Sequence, residues 1–157
     1  MLNETKTTAV AWARQLTVGI VTLPDVQAWA DEQIAAMDEP PYWLIAVSMA
    51  TRNEEVVDAC ETAPGVPDMH RVWAALMFGW SQLLEREPQQ DSEIARQLYF
   101  MAVSGDGPPT ASFGEMVSFW DAIDLAREDI HGDRRVERAK LGAFLRRWSR
   151  VEGFAAS

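Results

Sequence analysis

The chain has 157 residues, 48% of them hydrophobic, and a formal net charge of −10. This length fits one domain with a sizeable core, and the composition excludes a disordered or fibrous chain. Because Cys60 is the single cysteine, no internal disulfide forms, which fits a reducing compartment. The first sixteen residues lack the continuous apolar run of a secretory signal. We therefore expect one cytoplasmic domain spanning residues 1–157.

Apolar residues at helical spacing predict three helices in the first third of the chain. The first covers residues 5–18 and ends at Gly19, a residue type that suits a helix terminus. The second begins at Thr22, which together with Asp25 has the pattern of a capping box. The third, residues 42–50, is apolar on all sides, so we expect it to be buried.

A helix over residues 72–84 is hydrophobic on nearly every side and is predicted to be the centre of the core. It falls short of the roughly 20 residues that a membrane span requires, and Asp68 suits its N-cap. We expect it to pack against residues 42–50. Between these two helices, Thr51 and Glu54 repeat the capping-box pattern and open a short acidic helix.

Three further helices are predicted in the last part of the chain. Asp91 or Ser92 is expected to cap the first of them. The next, over about residues 111–131, carries two apolar stripes, so it is either buried on two sides or bent. The last covers about residues 134–152 and has Asp133 as its predicted N-cap.

The predicted fold class is all-α, because no segment alternates between apolar and polar residues over more than a few positions. The helix count from these patterns is seven to eight. We expect a compact single-domain helical bundle built around two buried helices, residues 42–50 and 72–84.

Negative charge is concentrated before the last predicted helix. Residues 1–133 carry 7 Lys or Arg and 22 Asp or Glu, whereas residues 134–157 carry 7 and 2. Such an acidic body repels nucleic acid and attracts basic proteins, which speeds their association. We therefore expect a basic protein partner. The candidate partner-binding acids are Asp31, Glu32, Glu54, Glu55 and Asp58.

The last predicted helix is basic, and its candidate partner-binding residues are Arg135, Arg138, Arg146 and Arg150. Basic amphipathic helices rest on anionic membranes, fill calmodulin-like grooves or contact nucleic acid. The acidic remainder of the chain opposes binding to polyanions. We expect neither a nucleic-acid nor a membrane partner; instead the arginines pair with acidic helices of the same fold or of a second copy.

The sequence contains no catalytic, cofactor or metal motif, so we expect a protein without enzymatic activity, cofactor or metal. Histidine meets several carboxylates at one predicted turn, but the spacing matches no well-precedented metal site, and helix capping explains each residue. That turn contains Glu128, Asp129, His131 and Asp133. Cys60 lies near Asp58 and Glu61, and negative neighbours raise a thiol pKa, the reverse of what a nucleophile needs.

The preferred hypothesis is a non-enzymatic acidic protein-binding module that engages a basic protein. In size, acidity and helicity the chain is similar to bacterial immunity and antitoxin proteins, a likeness of general type that rests on no motif. One alternative is a self-associating structural or regulatory protein whose basic helix meets an acidic face of another subunit. A second alternative is a small-ligand binder or enzyme with an apolar pocket lined by some of the seven tryptophans.

Overall fold

The computed structural model describes residues 2–107, 113–128 and 132–150, and its regular elements there are helical. Eight α-helices and a short 3₁₀ turn follow one another in these ranges, with no strand among them, so the predicted all-α class is confirmed. The helices are α1 (Leu2–Thr17), α2 (Leu23–Ala35), α3 (Tyr42–Met49), α4 (Asn53–Glu61), α5 (Met69–Arg86), α6 (Asp91–Ser104), α7 (Phe113–Arg127) and α8 (Arg134–Trp148).

Contacts within the chain divide it into two compact units, residues 1–72 and 73–157, and the boundary falls inside α5. In the first unit α2 packs against α3, α3 packs against α4, and α1 packs mainly against α4. Its core is built from small residues and valines around three larger side chains, Leu16, Trp43 and Leu44. A single domain over residues 1–157 stays a prediction.

Local caps set several helix ends as predicted. Thr22 and Asp25 form the full capping box at the start of α2, with hydrogen bonds in both directions. Asp68 accepts from the amides of His70 and Arg71 at the start of α5. Gly19 takes a φ of +80° immediately beyond α1, a conformation that favours glycine.

The capping box predicted at Thr51 and Glu54 is wrong. α4 begins at Asn53, its N-cap is Arg52, and no side chain caps the helix there. Instead, the Thr51 hydroxyl donates to the Glu55 carboxylate at 2.9 Å. Thr51 lies one position before the N-cap, so its hydroxyl is out of register with the first-turn amides that it was expected to bind.

Helix α3 is buried on one side only, which differs from the expected burial on all sides. Trp43, Leu44 and Val47 are buried, whereas Tyr42 and Met49 are 84% and 74% exposed. The reason is that α3 is held between α2 and α4. Two neighbouring helices do not surround a third, so an apolar side of α3 remains in contact with solvent.

Two long polar side chains join the helices of the first unit at their ends. Lys6 on α1 donates through Nζ to the carbonyls of Cys60 and Glu61, at 3.0 and 2.8 Å. Gln27 on α2 donates through Nε2 to the carbonyls of Ser48 and Ala50, at 3.1 and 2.6 Å. These bonds satisfy carbonyls at the C-terminal ends of α4 and α3, which a helix leaves without internal donors.

In the second unit α6 and α7 form the most extensive helix pair, and α8 packs against both. α7 is continuous from Phe113 to Arg127 and buries a single stripe, so it is not buried on two sides within this range. That stripe consists of Met116, Phe119, Ile123 and Ala126. Residues 111, 112 and 129–131 of the predicted helix lie outside the described residues.

Helix α5 is amphipathic rather than buried all round. Trp80 is 1% exposed and donates from its indole nitrogen to Gln97 at 3.2 Å, whereas Phe78 is 54% exposed. Trp73, two turns earlier on the same side of the helix, is only half-buried. The predicted core helix therefore exists, extended by a few residues at each end, but only part of its apolar surface is covered.

We expect Trp80→Ala to lower the free energy of unfolding by about 3–5 kcal/mol, because it removes a fully buried indole and leaves a cavity. Trp73→Ala is the matched control, and its loss should be roughly half of that or less, since this indole is half-buried. Urea unfolding followed by far-ultraviolet circular dichroism measures both. Equal losses for the two variants would contradict the position of the core.

Candidate acidic interaction surface

The exposed side of α3 carries a strip of apolar residues, here called the α3 face and defined by Tyr42, Ile45 and Met49. Tyr42 and Met49 are seven residues apart, which in an α-helix places them on one side, two turns from each other. Ile45 lies between them and is half-buried. Exposed apolar strips of this kind are typical of binding surfaces more than of ordinary solvent-facing helices.

Helix α2 brings one candidate acid directly to the edge of the α3 face. The Ser48 hydroxyl on α3 donates to Oδ1 of Asp31, so this carboxylate is held against the residue that precedes Met49. Glu32 is also exposed but lies about 100° further round α2. Asp31 is therefore bonded to α3 through Ser48, whereas the side chain of Glu32 points in a different direction from α2.

On the other side of α3, α4 contributes the remaining candidate acids. Glu54 and Asp58 are exposed and one turn apart, so they share a side of α4. Glu55 is half-buried, and hydrogen bonds from Thr51 and Arg52 lower the pKa of its carboxyl. Glu55 is thus engaged locally, whereas Glu54 and Asp58 face solvent.

Basic residues of the first unit neutralise little of this charge. Residues 1–72 contain 4 Lys or Arg and 11 Asp or Glu. Lys6 is buried and bonded to backbone carbonyls, Arg52 pairs with Glu55, and Arg71 approaches Asp68 at 3.7 Å. The surface formed by α2, α3 and α4 therefore stays acidic.

The four candidate arginines of the last predicted helix fall into two groups in the structure, exposed and partly buried. Arg135, Arg146 and Arg150 are exposed. Arg138 is instead directed to the fully buried Asp91, to which its Nε donates at 3.1 Å. Arg138 thus acts inside the second unit, whereas the other three guanidinium groups are accessible from solvent.

Asp91 is the principal polar residue that the sequence did not reveal. Its carboxylate is fully buried. It also accepts hydrogen bonds from Nε and Nη2 of Arg134, at 2.9 and 2.6 Å, and from the backbone amide of Ser92, at 2.8 Å. Burial on its own would raise the pKa of Asp91, but the bonds from Arg134 and Ser92 and the charges of Arg134 and Arg138 outweigh it and lower that pKa.

The prediction that Asp91 or Ser92 caps α6 is wrong. Gln90 is the N-cap and forms no side-chain cap bond, and Asp91 is the first helical residue. The Asp91 carboxylate links the start of α6 to the first turns of α8 through hydrogen bonds with Arg134 and Arg138. Because Arg134 is 43 residues away along the chain, no local pattern signals this pair. With two guanidinium groups and an amide already bound, the carboxylate has a structural role.

A cavity of about 420 Å³ lies between α7 and α8. Phe119 and Phe144 form its apolar part, with ring centroids 5.3 Å apart, and charged residues including Lys140 and Arg147 line it as well. Tryptophan is not among its lining residues. The Trp-lined pocket of the small-ligand hypothesis therefore does not correspond to this cavity.

Three of the seven tryptophans instead lie against one another within the first unit, with Trp12 and Trp29 stacked and Trp29 and Trp43 tilted. The ring centroids of Trp12 and Trp29 are 5.5 Å apart, and those of Trp29 and Trp43 are 6.5 Å apart. Each ring belongs to a different helix, α1, α2 or α3. Trp12 and Trp29 each lie between two alanines in the sequence, and their stacked indoles join α1 to α2.

The turn with a histidine among carboxylates is only partly described. Asp133 caps α8 as predicted, accepting from the amide of Arg135 at 2.8 Å. Asp129 and His131 lie outside the described residues. Within the ranges that the structure covers, no three potential metal ligands cluster, and no helix there is long and apolar enough to span a membrane.

Comparison with known proteins yields no match to a family model, a curated protein or a solved structure.

We expect Asp91→Asn to lower the free energy of unfolding at pH 7 by about 3 kcal/mol, because it leaves two partly buried guanidinium groups without a charged partner. The folded pKa of Asp91 is below its usual value, so the stabilisation is present above about pH 4 and is lost as the pH falls further. Urea unfolding at pH 7 and at pH 3 should show the difference between wild type and variant shrinking in acid.

Glu93→Gln is the control for this prediction, since Glu93 pairs with Arg96 at 2.6 Å on the surface. Exposed pairs contribute about 0–1 kcal/mol, so this loss should be small. A loss for Asp91→Asn no larger than the control would show that the buried cluster contributes little to stability.

Burial raises the pKa of the Cys60 thiol to about 11, and the nearby charge of Lys6 opposes that rise only partly. The raised pKa agrees with the sequence, although its main cause is burial and not the acidic neighbours. We expect a thiol-specific disulfide reagent at pH 8 to label Cys60 only after unfolding in urea. Rapid labelling of the native protein would contradict the burial of this thiol.

Proposed function

We propose that this chain is a non-enzymatic protein-binding module whose acidic surface on α2, α3 and α4 engages a basic protein. The observation that carries the proposal is the composition of this surface, in which an exposed apolar face lies between two helices that present carboxylates. Protein interfaces commonly have an apolar centre with a polar rim.

The charges and the apolar strip have different roles in this proposal. The exposed acids of α2 and α4, among them Asp31, Glu32, Glu54 and Asp58, attract a basic partner from a distance and accelerate its approach. Once the partner is in contact, Tyr42 and Met49 supply apolar area whose burial stabilises the complex. Association should therefore depend strongly on salt, and dissociation should depend mainly on the apolar contacts.

Self-association is a second candidate, favoured by one specific feature of α8. Arg135 and Arg146 are exposed on this helix, and Arg150 is exposed two residues beyond its end, so the chain itself carries a basic surface complementary to its acidic one. A dimer of this kind would weaken as salt rises. Sedimentation velocity at low and high salt separates it from binding to another protein.

Affinity capture from a lysate of the source cells, washed at low and then at high salt, tests the proposal. A basic protein retained at low salt and released at high salt supports it and identifies the partner. Recovery of this chain alone favours self-association. Retention that does not respond to salt contradicts an electrostatic interaction with a basic partner.

Charge reversal locates the surface. We expect the triple variant Glu32→Lys, Glu54→Lys and Asp58→Lys to slow association with the captured protein about tenfold or more at low salt, because steering depends on these charges. Surface plasmon resonance measures the rate. All three side chains are exposed, so folding, followed by circular dichroism, should change little.

A variant with the same change in net charge elsewhere serves as the control. Glu85→Lys, Glu87→Lys and Asp121→Lys alter three exposed acids of the second unit. Their effect on the association rate should be clearly smaller. Equal slowing in the two triple variants would mean that overall charge, and not the surface of α2, α3 and α4, governs the encounter.

A further inference from the structure

We infer that the α3 face receives the apolar side of a basic amphipathic helix. The inference rests on the proposed function and specifies the partner of that same surface. Its basis is the combination of two large exposed apolar side chains, Tyr42 and Met49, with acidic residues on the neighbouring helices and a scarcity of lysine and arginine around them.

The geometry of the strip favours a helix as the partner. Tyr42 and Met49 are separated by seven residues, about 10 Å along the axis of α3. An amphipathic helix presents apolar anchors with the same repeat, at positions i, i+3 or i+4, and i+7. Two such helices pack side by side with axes about 8–10 Å apart, so their apolar side chains interdigitate along the whole strip.

The backbone of α3 offers little to an extended partner. The amides of Leu44 and Ile45 donate to the carbonyl of Pro41, and the amide of Ala50 donates to that of Val47. Gln27 already binds the carbonyls of Ser48 and Ala50 at the C-terminal end. Addition of a strand requires an open sheet edge, and no strand occurs among the described residues. Recognition must therefore come from side chains.

The side chains of the strip suit a partner that is both apolar and basic. Met49 is flexible and polarisable, so it adapts to different apolar groups, and Tyr42 combines an aromatic ring with a polar hydroxyl. Asp31 is held through Oδ1 by Ser48, the residue that precedes Met49 on α3. A carboxylate accepts several hydrogen bonds, so a lysine or arginine flanking the apolar side of the partner finds an oriented acceptor there.

Two synthetic peptides test the inference. The first is an 18-residue peptide of leucine and lysine with leucine at helical i, i+3/i+4 spacing, labelled with fluorescein. The second has the same composition in an order that gives no apolar side. We expect fluorescence anisotropy at low salt to show the amphipathic peptide binding at least tenfold more tightly than the scrambled one.

The double variant Tyr42→Ala and Met49→Ala should reduce that preference to about one while leaving the salt dependence in place. Met37→Ala with Val66→Ala is the matched control, since these residues are 39% and 71% exposed in the same unit and lie outside the α3 face. The control variant should keep the full preference for the amphipathic peptide.

The outcomes separate this inference from the proposed function. Equal, salt-dependent binding of both peptides, unaffected by the double variant, would overturn the helix inference and leave the binding of a basic partner standing. No binding of either peptide at low salt would count against both. Loss of the preference in the Met37 and Val66 control as well would place the apolar contact elsewhere and overturn the role of the α3 face.

Discussion

The ends of its helices are where an all-helical protein most needs additional hydrogen bonds. The last carbonyls and first amides of each helix lack partners within the helix. In this chain, neighbouring helices supply several of those partners through long polar side chains. Lys6 of α1 binds the end of α4, and Gln27 of α2 binds the end of α3. In the second unit the buried carboxylate of Asp91 joins the starts of α6 and α8 through Arg134 and Arg138.

This arrangement explains how α3 comes to be a surface element. Because its C-terminal carbonyls are satisfied by Gln27, the helix is fixed in place without being enclosed on every side. Its apolar residues then divide into a buried set that includes Leu44 and Val47 and an exposed pair, Tyr42 and Met49. Stability and recognition thus depend on opposite sides of the same eight-residue helix.

Structural features that depend on residues close together in the chain could be predicted from the sequence. Contacts between residues far apart in the chain could not. The caps at Thr22, Asp68 and Asp133 were predictable because a cap and its amides lie within one turn. Asp91 resembles a cap in sequence, but its partners are 43 and 47 residues away. No local pattern identifies a carboxylate that a distant arginine will bind.

Burial of the apolar helices was overestimated for a related reason. Composition states how apolar a helix is, but not how many neighbours cover it, and within the described ranges α3 packs mainly against α2 and α4. The candidate site was predictable in its charge, since the acidic stretches are continuous in sequence. Its apolar centre was not, because Tyr42 and Met49 were expected in the core, where they would have had no role in binding.

The stacked tryptophans have a spectroscopic consequence. Indole rings as close as those of Trp12, Trp29 and Trp43 couple their electronic transitions, so they produce a circular dichroism signal that an isolated indole lacks. All three rings belong to residues 1–72, whereas Trp73, Trp80, Trp120 and Trp148 belong to the second unit. The coupling among these three indoles therefore gives the first unit an optical signal of its own, which requires no added label.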